Sequence, residues 1–290
     1  MIIRSHHRTL YRYGTPSVES HNEVRLHPLT DANQVCRSFS VSTRPATTVY
    51  GYQALGGIVH HFGLRGAHRE LEIVADAEVE TLLTDPFDGL NLLWDDWNFY
   101  SSTATAERFA EYLVASPYVR PNGKLSELSL AVRRGAGEAV VDFLLKLSRH
   151  LFESFSYDPD VTHVHSTVDE VLELGAGVCQ DFAHVMIGCC RTQGIPARYV
   201  SGYLYSQQGS DMRGNEAMHA WVECALPDGR WLALDPTNNL LANDLYVRVH
   251  VGRDYSEVAP TRGVYMGTPA QSLEVTLSVE RVQTAIPPAR

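Results

Sequence analysis

Lysine is nearly missing from this chain: Lys124 and Lys146 are the only two, and arginine supplies the other basic side chains. Arginine-favouring codon usage explains that scarcity, and it selects no partner. Basic charge is short overall, with 24 Lys and Arg against 34 Asp and Glu and a formal net charge of −10. Nucleic acids and anionic membranes both need a basic footprint, so neither is expected as the main partner. There is no run of about 18 consecutive apolar residues to make a membrane-spanning helix. Cysteine is sparse and odd in number (Cys36, Cys179, Cys189, Cys190 and Cys224). The opening stretch, Met1 to Arg8, has no apolar h-region. Together these point to a reduced, cytoplasmic protein rather than a disulfide scaffold. What remains is ordinary globular material. The chain has 290 residues, 44% apolar and 20% charged, enough for a sizeable core and about two domains.

The first third alternates with a period of two. Between Arg69 and Glu80, Leu71, Ile73, Ala75, Ala77 and Val79 share one face. Glu70, Glu72, Asp76, Glu78 and Glu80 share the other, which describes a half-buried strand. Weaker strand patterns cover Ile3–Tyr13, Val18–Leu26, Val35–Thr43 and Ile58–Leu64, separated by turn signals at Gly14-Thr15-Pro16 and Leu55-Gly56-Gly57. An antiparallel β-sandwich with a trailing helix is expected over residues 1–120, and a second domain over 121–290. In that second part Val140, Phe143, Leu144, Leu147 and Leu151 form an amphipathic helical stripe. A helix from Ser166 to Leu174 carries a Thr167–Glu170 capping box and a C-terminal glycine, Gly175. A more apolar helix begins at Cys179, and strands follow at Arg198–Tyr205, Ala217–Leu226, Trp231–Asp235, Leu245–Val251 and Leu273–Val282. Helices followed by an antiparallel run make the fold class α+β.

Three residues carry the chemistry. Cys179 follows Gly175-Ala176-Gly177-Val178, so it falls in the first turn of its helix, where unpaired N–H groups and the helix dipole favour negative charge. A cationic partner there lowers a thiol from ~8.5 toward ~3.5–7.5 and makes it a nucleophile. Cys189 and Cys190 come late in the helix, where the dipole opposes a thiolate, and are read as structural. His219 lies in Met218-His219-Ala220-Trp221-Val222-Glu223-Cys224. Alternation puts Met218, Ala220, Val222 and Cys224 on the core face and His219, Trp221 and Glu223 on the other. Pro227-Asp228-Gly229 suits a three-residue hairpin loop with glycine at positive φ. That loop pairs Leu226 with Arg230 and so sets Trp221 opposite Asp235. His219 becomes the diagonal neighbour of Asp235, about 7–8 Å away between Cα atoms. A two-residue loop would put the two on opposite faces.

The motifs around these residues are Gly177–His184, with its Gly-Val-Cys-Gln-Asp-Phe-Ala-His, His219–Glu223 and Trp231–Asn239. In this order and spacing they resemble the transglutaminase-like superfamily, and most of all the bacterial transglutaminase-like cysteine peptidases with an N-terminal β domain. The resemblance implies a papain-like core in which the nucleophile helix packs on an antiparallel sheet. It also implies a triad of Cys179 as nucleophile, His219 as base and Asp235 as orienter. The tryptophan that vertebrate cross-linking members use for transition-state stabilisation has no counterpart shortly before Cys179, and no calcium-binding segment is evident.

The expected activity is hydrolysis of a peptide, isopeptide or γ-glutamyl amide bond through a thioester, with a peptide or protein as substrate and no cofactor or metal. Acyl transfer to an amine and a non-catalytic binding scaffold are the alternatives. The Cys179 N–H is the expected oxyanion donor. Gln180 and Glu223 are expected along the substrate cleft, Glu223 otherwise in solvent, and Trp221 either shields the triad or packs. His163-Val164-His165 reads as a loop at the cleft mouth, Asp181 as a cap, and Ser206–Glu216 as a mobile cleft edge.

Overall fold

The computed structural model describes residues 1–88, 90, 97–133, 138–207, 210–214, 217–267 and 271–282. The alternation found in the first third is that of one very long antiparallel strand pair. Its strands are β1 (Ile2–Val24) and β4 (Gly57–Thr81), with β2 (Gln34–Arg44) beside the second half of β4 and β3 (Tyr50–Ala54) beside its first half. Leu71, Ile73, Ala75, Ala77 and Val79 are buried as their spacing requires. Their acidic alternates reach arginines across the strands, as Glu78 does Arg4 and Glu72 does Arg8. Gly14-Thr15-Pro16 is not a turn. The strand runs through it with a register shift between Arg12 and Ser17. Gly66, at φ 107°, sits opposite a second shift, between Ser17 and Glu19, in a conformation that only glycine takes without strain. The shifts bend the strand pair, and its two halves close on one core. Tyr13, Leu71 and Ile73 come from one half, and Val24, Phe62 and Leu64 from the other.

A helical stretch follows: α1 (Trp97–Ser101), α2 (Thr103–Arg108), a 3-10 turn at Ala110–Tyr112, α3 (Gly123–Val132) and α4 (Val140–Ser154). All five apolar stripe residues of α4 are buried. Asn122 caps α3 by accepting from the Leu125 N–H. Strands β5 (Ser156–Tyr157) and β6 (Ala176–Gly177) pair in parallel on either side of α5 (Val168–Leu174). Thr167 and Glu170 close the capping box, and Gly175 takes the left-handed conformation. Next come α6 (Cys179–Thr192), β7 (Ala197–Leu204), β8 (His219–Ala225), β9 (Trp231–Asp235), β10 (Leu240–Leu241), β11 (Tyr246–Gly252) and the short α7 (Tyr255–Val258). The second sheet has the order β10-β9-β8-β7-β11. Helix α6 lies on it, with Phe182, Ala183 and Met186 sharing a core with Ala220, Val222 and Cys224.

The last strands, β12 (Thr261–Tyr265) and β13 (Gln271–Arg281), lie within the 121–290 stretch, yet both pair with β1. The chain therefore returns to complete its first sheet. Ile3, Ala77 and Val79 of that sheet pack with Tyr203, Val247 and Val249 of the second. No helix among the described residues is long and apolar enough to cross a membrane.

Candidate active site

Cys179 opens α6 and is 9% exposed. Its position is fixed from both sides. Before it, the β5–β6 pair holds Gly177, whose carbonyl accepts from the Asp158 N–H at 3.0 Å. After it, Asp181 folds back to accept from the Val178 N–H at 2.8 Å and the Thr162 hydroxyl at 2.7 Å. Asp181 is thus the expected cap. Burial pushes its pKa up, against the pull of those two donors. Gly177 is required for this: a Cβ there would lie 2.5 Å from Asp181 Oδ2.

The hairpin between β8 and β9 has the expected loop. Gly229 stands at φ 91°, Leu226 N–H donates to the Arg230 carbonyl at 2.8 Å, and the strands pair Ala225 with Trp231 and Val222 with Leu234. Continued by one residue, that register sets Trp221 against Asp235, with His219 on the diagonal. The His219 Nε2–H donates to Asp235 Oδ2 at 2.7 Å, and neither side chain touches solvent.

Asp235 is saturated with donors. Oδ2 also accepts from Asn238 Nδ2 and the Tyr246 hydroxyl, both at 2.8 Å, and Oδ1 accepts from the Thr237 N–H at 2.9 Å. Burial alone would raise its pKa, but the His219 charge and these hydrogen bonds hold it low. For His219, burial alone would disfavour the cation. The Asp235 carboxylate and the Cys179 sulfur outweigh it and raise the pKa to about 10. With Nε2 committed to Asp235, Nδ1 has no hydrogen-bond partner, and the Cys179 sulfur is near enough to favour the charged ring. A buried imidazolium oriented by a carboxylate and turned toward a thiol at a helix start can hold a thiolate and deliver a proton.

The other expected site residues part company with this group. The Gln180 amide is engaged with the Val164 carbonyl at 3.2 Å, which ties the His163–His165 loop to the first turn of α6. Glu223 does not meet solvent, although it lies along the wall of a cavity shared with Arg198, Trp231 and Arg248. It is buried, and its carboxylate binds Arg198 at 2.6 Å and Arg248 at 2.9 Å. The face it shares with His219 is covered as thoroughly as the core face, so alternation separates two buried sides here. Trp221 packs between His219 and Tyr246, with ring centroids 6.3 and 5.3 Å away. Met218 leaves the strand's core face to pack against the first sheet. Residues 208, 209, 215 and 216 of the expected cleft edge lie outside the described residues. Sequence reasoning missed Asn238 and Tyr246. Asn238 stands three residues beyond Asp235, a spacing that suits an Asx side chain folding back in a turn, whereas Tyr246 arrives from another strand. Among the described residues no group of three or more His, Cys, Asp or Glu side chains is placed to hold a metal ion.

Residues 127–236 match the transglutaminase-like superfamily, and residues 3–80 match the bacterial transglutaminase-like N-terminal region. An uncharacterized protein of Mycobacterium leprae is 35% identical over 287 residues, covering 97% of this chain and 99% of its own. A crystal structure from Cytophaga hutchinsonii, named "Putative Cysteine Protease", shares the fold with a TM-score of 0.77 at 21% identity, over 99% of this chain and 93% of that one. A protein-glutamine gamma-glutamyltransferase of Pseudomonas aeruginosa is 33% identical over 108 residues, 34% of this chain and 16% of that protein. With both regions matched in order, the chain belongs to the transglutaminase-like superfamily and carries that superfamily's bacterial N-terminal region ahead of its core.

Proposed function

We propose that this chain is a cysteine-dependent hydrolase of amide bonds, whether peptide, isopeptide or γ-glutamyl, in peptides or proteins. The observation that carries the reading is the His219 Nε2–H bond to Asp235, which leaves the opposite ring nitrogen for Cys179. Cys179 Sγ attacks the amide carbonyl, and the carbonyl oxygen takes up negative charge opposite the N–H groups of the α6 start. As the C–N bond breaks, His219 Nδ1–H gives its proton to the departing amine and a thioester remains. Water then attacks the thioester, His219 takes its proton, and the acid leaves as the thiol is restored. Asp235 holds the tautomer and the ring direction throughout.

The test is alkylation of each cysteine by iodoacetamide from pH 4 to 9, mapped by peptide mass, in the wild type and in His219→Ala. Fast reaction of Cys179 alone below pH 7, lost without His219, supports the reading. Equal and slow reaction of Cys179 in both proteins would refute it and give the lead to a binding scaffold.

Acyl transfer to an amine uses the same thioester, and the stretch of identity with the Pseudomonas aeruginosa gamma-glutamyltransferase favours keeping it as the second reading. Once an acyl substrate is found, a labelled primary amine separates the two. Incorporation exceeding hydrolysis makes the chain a transferase.

A further inference from the structure

Asn238 is used twice. Its Nδ2 donates to Asp235 Oδ2 at 2.8 Å and to the Arg213 carbonyl at 3.2 Å, while its Oδ1 accepts from the Arg213 N–H at 2.8 Å. The orientation of the amide is settled by chemistry. An ionised carboxylate only accepts and a backbone N–H only donates, so a flipped amide would oppose oxygen to oxygen at one end and N–H to N–H at the other. The next residue after Arg213 is Gly214, at φ 74°. A Cβ on Gly214 would stand 2.8 Å from His219 Nδ1 and 3.2 Å from Cε1. The loop backbone therefore lies against the Nδ1 edge of the imidazole, the edge that Asp235 does not hold. Arg213 is held from the other side by its guanidinium over the Phe152 ring, 4.5 Å from the centroid.

We propose that Asn238 is a positioning residue for the triad, acting through Asp235 and through the Arg213–Gly214 backbone to hold the His219 ring in its one productive orientation. Asp235 fixes the ring at Nε2, and the Gly214 backbone blocks rotation at the opposite edge. A ring free to turn over about its Cβ–Cγ bond would put Cε1 where Nε2 stands and Cδ2 where Nδ1 stands, and break both contacts. The carboxamide locks the two restraints together, so that neither slackens alone. Gly214 is the close-approach partner in this arrangement, because any side chain would take the place of the imidazole. The inference rests on the Cys179–His219–Asp235 reading, and it adds a residue that touches none of the reacting atoms.

The experiment measures the Cys179 alkylation rate against pH, with half-buried Cys36 as internal control, in the wild type, Asn238→Ala, Asn238→Asp, Gly214→Ala and Gly194→Ala. It also measures water exchange of the His219 Nε2 proton by nuclear magnetic resonance. Asn238→Ala is expected to slow Cys179 at least about tenfold at pH 7, the factor one charge-assisted hydrogen bond carries, and to speed exchange of that proton. Asn238→Asp keeps the shape but sets two carboxylates together. It is expected to be slow at pH 7 and to recover toward wild type as the pH falls and one carboxyl takes a proton. Gly194 has the same φ of 74° with no contact closer than 3.4 Å. Gly194→Ala thus reproduces the backbone strain of Gly214→Ala, and only the latter should slow Cys179. Wild-type alkylation and exchange in Asn238→Ala, a pH-independent loss in Asn238→Asp, or equal effects of the two glycine variants would each overturn the proposal. Wild-type reactivity in His219→Ala would instead bring down the triad reading itself, so the two failures are distinguishable.

Discussion

A carboxylate oxygen that accepts from three donors has no room for a fourth, and Asp235 Oδ2 is in that state. Asp235→Asn turns one of the two oxygens into a donor. Facing His219 with the NH2 group would set donor against donor, and facing it with the remaining oxygen would leave an NH2 against the Thr237 N–H. The variant is expected to lose about 10³–10⁴ in turnover of an amide substrate while staying folded, the scale of a wrong imidazole tautomer. Steady-state rates beside a far-ultraviolet circular dichroism spectrum check both halves. Tyr246→Phe removes one hydrogen bond to the same charge and should lower stability by about 1.5–3 kcal/mol, read from the urea midpoint. At this scale the place of Cys179 at a helix start and the pairing of His219 with Asp235 were legible because each signal is local: a helix start, an alternating strand and a three-residue loop. The solvated reading of Glu223 failed because alternation reports sides, and a central strand covered on both sides has no exposed one. Tyr246 was illegible because strand β11 brings it to Asp235, and no spacing within one hairpin encodes that.

Elements transmit these positions through two glycines in and beside α6. Gly177 gives way to the Asp181 carboxylate, and Gly188 gives way to Leu125 of α3, where a Cβ would lie 2.6 Å from a leucine methyl. The two sites make different predictions. Gly177→Ala expels the carboxylate that caps the helix, so it should cost about 0.5–2 kcal/mol in stability and also slow Cys179 alkylation, because the first turn moves. Gly188→Ala overpacks a helix contact two turns away and should cost about 1–3 kcal/mol while leaving alkylation unchanged. Urea midpoints and alkylation rates of both variants test this, and equal slowing in the two would refute the distinction. Much at this scale could be read in advance: α4, α5 and α6, and the β8–β9 register, whose loop chemistry chose one pairing over another. The expected turn at Gly14-Thr15-Pro16 failed for a physical reason. Glycine and proline also suit a register shift inside a strand that bends, and a sequence of this kind fits both.

At the level of the whole molecule the least legible feature is closure, since β12 and β13 return about 250 residues later to β1, a pairing no local pattern specifies. Closure also buries groups that titrate near neutrality. His7 lies in the first sheet, His184 in α6 and His250 in β11, all three at 2% exposure or less. Burial lowers each pKa to about 4, assisted by His6 for His7 and by Arg25 for His250, while at His184 Asp254 pulls upward and Arg191 downward. In the unfolded chain these imidazoles titrate near 6.5. Below 6.5 the unfolded state therefore binds more protons than the fold, and stability falls as the pH falls, until both states are charged below about 4. Between pH 7 and pH 5 the loss is roughly 2 kcal/mol for each buried histidine, a large share of the ~5–15 kcal/mol that a domain commands. Most carboxylates stay ionised over that interval, so it isolates the histidines. His219 has the opposite sign. Its folded pKa of about 10 gives a contribution complete below 6.5 and lost as the pH rises through 10. Urea unfolding at fixed pH values from 5 to 10 should trace a dome, with an acid limb from the three buried histidines and an alkaline limb from the triad and buried thiols. His219→Ala should weaken the alkaline limb, leaving the part due to the buried thiols of Cys189 and Cys224, and leave the acid one in place. A curve level between pH 7 and pH 5 would mean that these imidazoles find proton partners on folding, and the acid limb would be refuted.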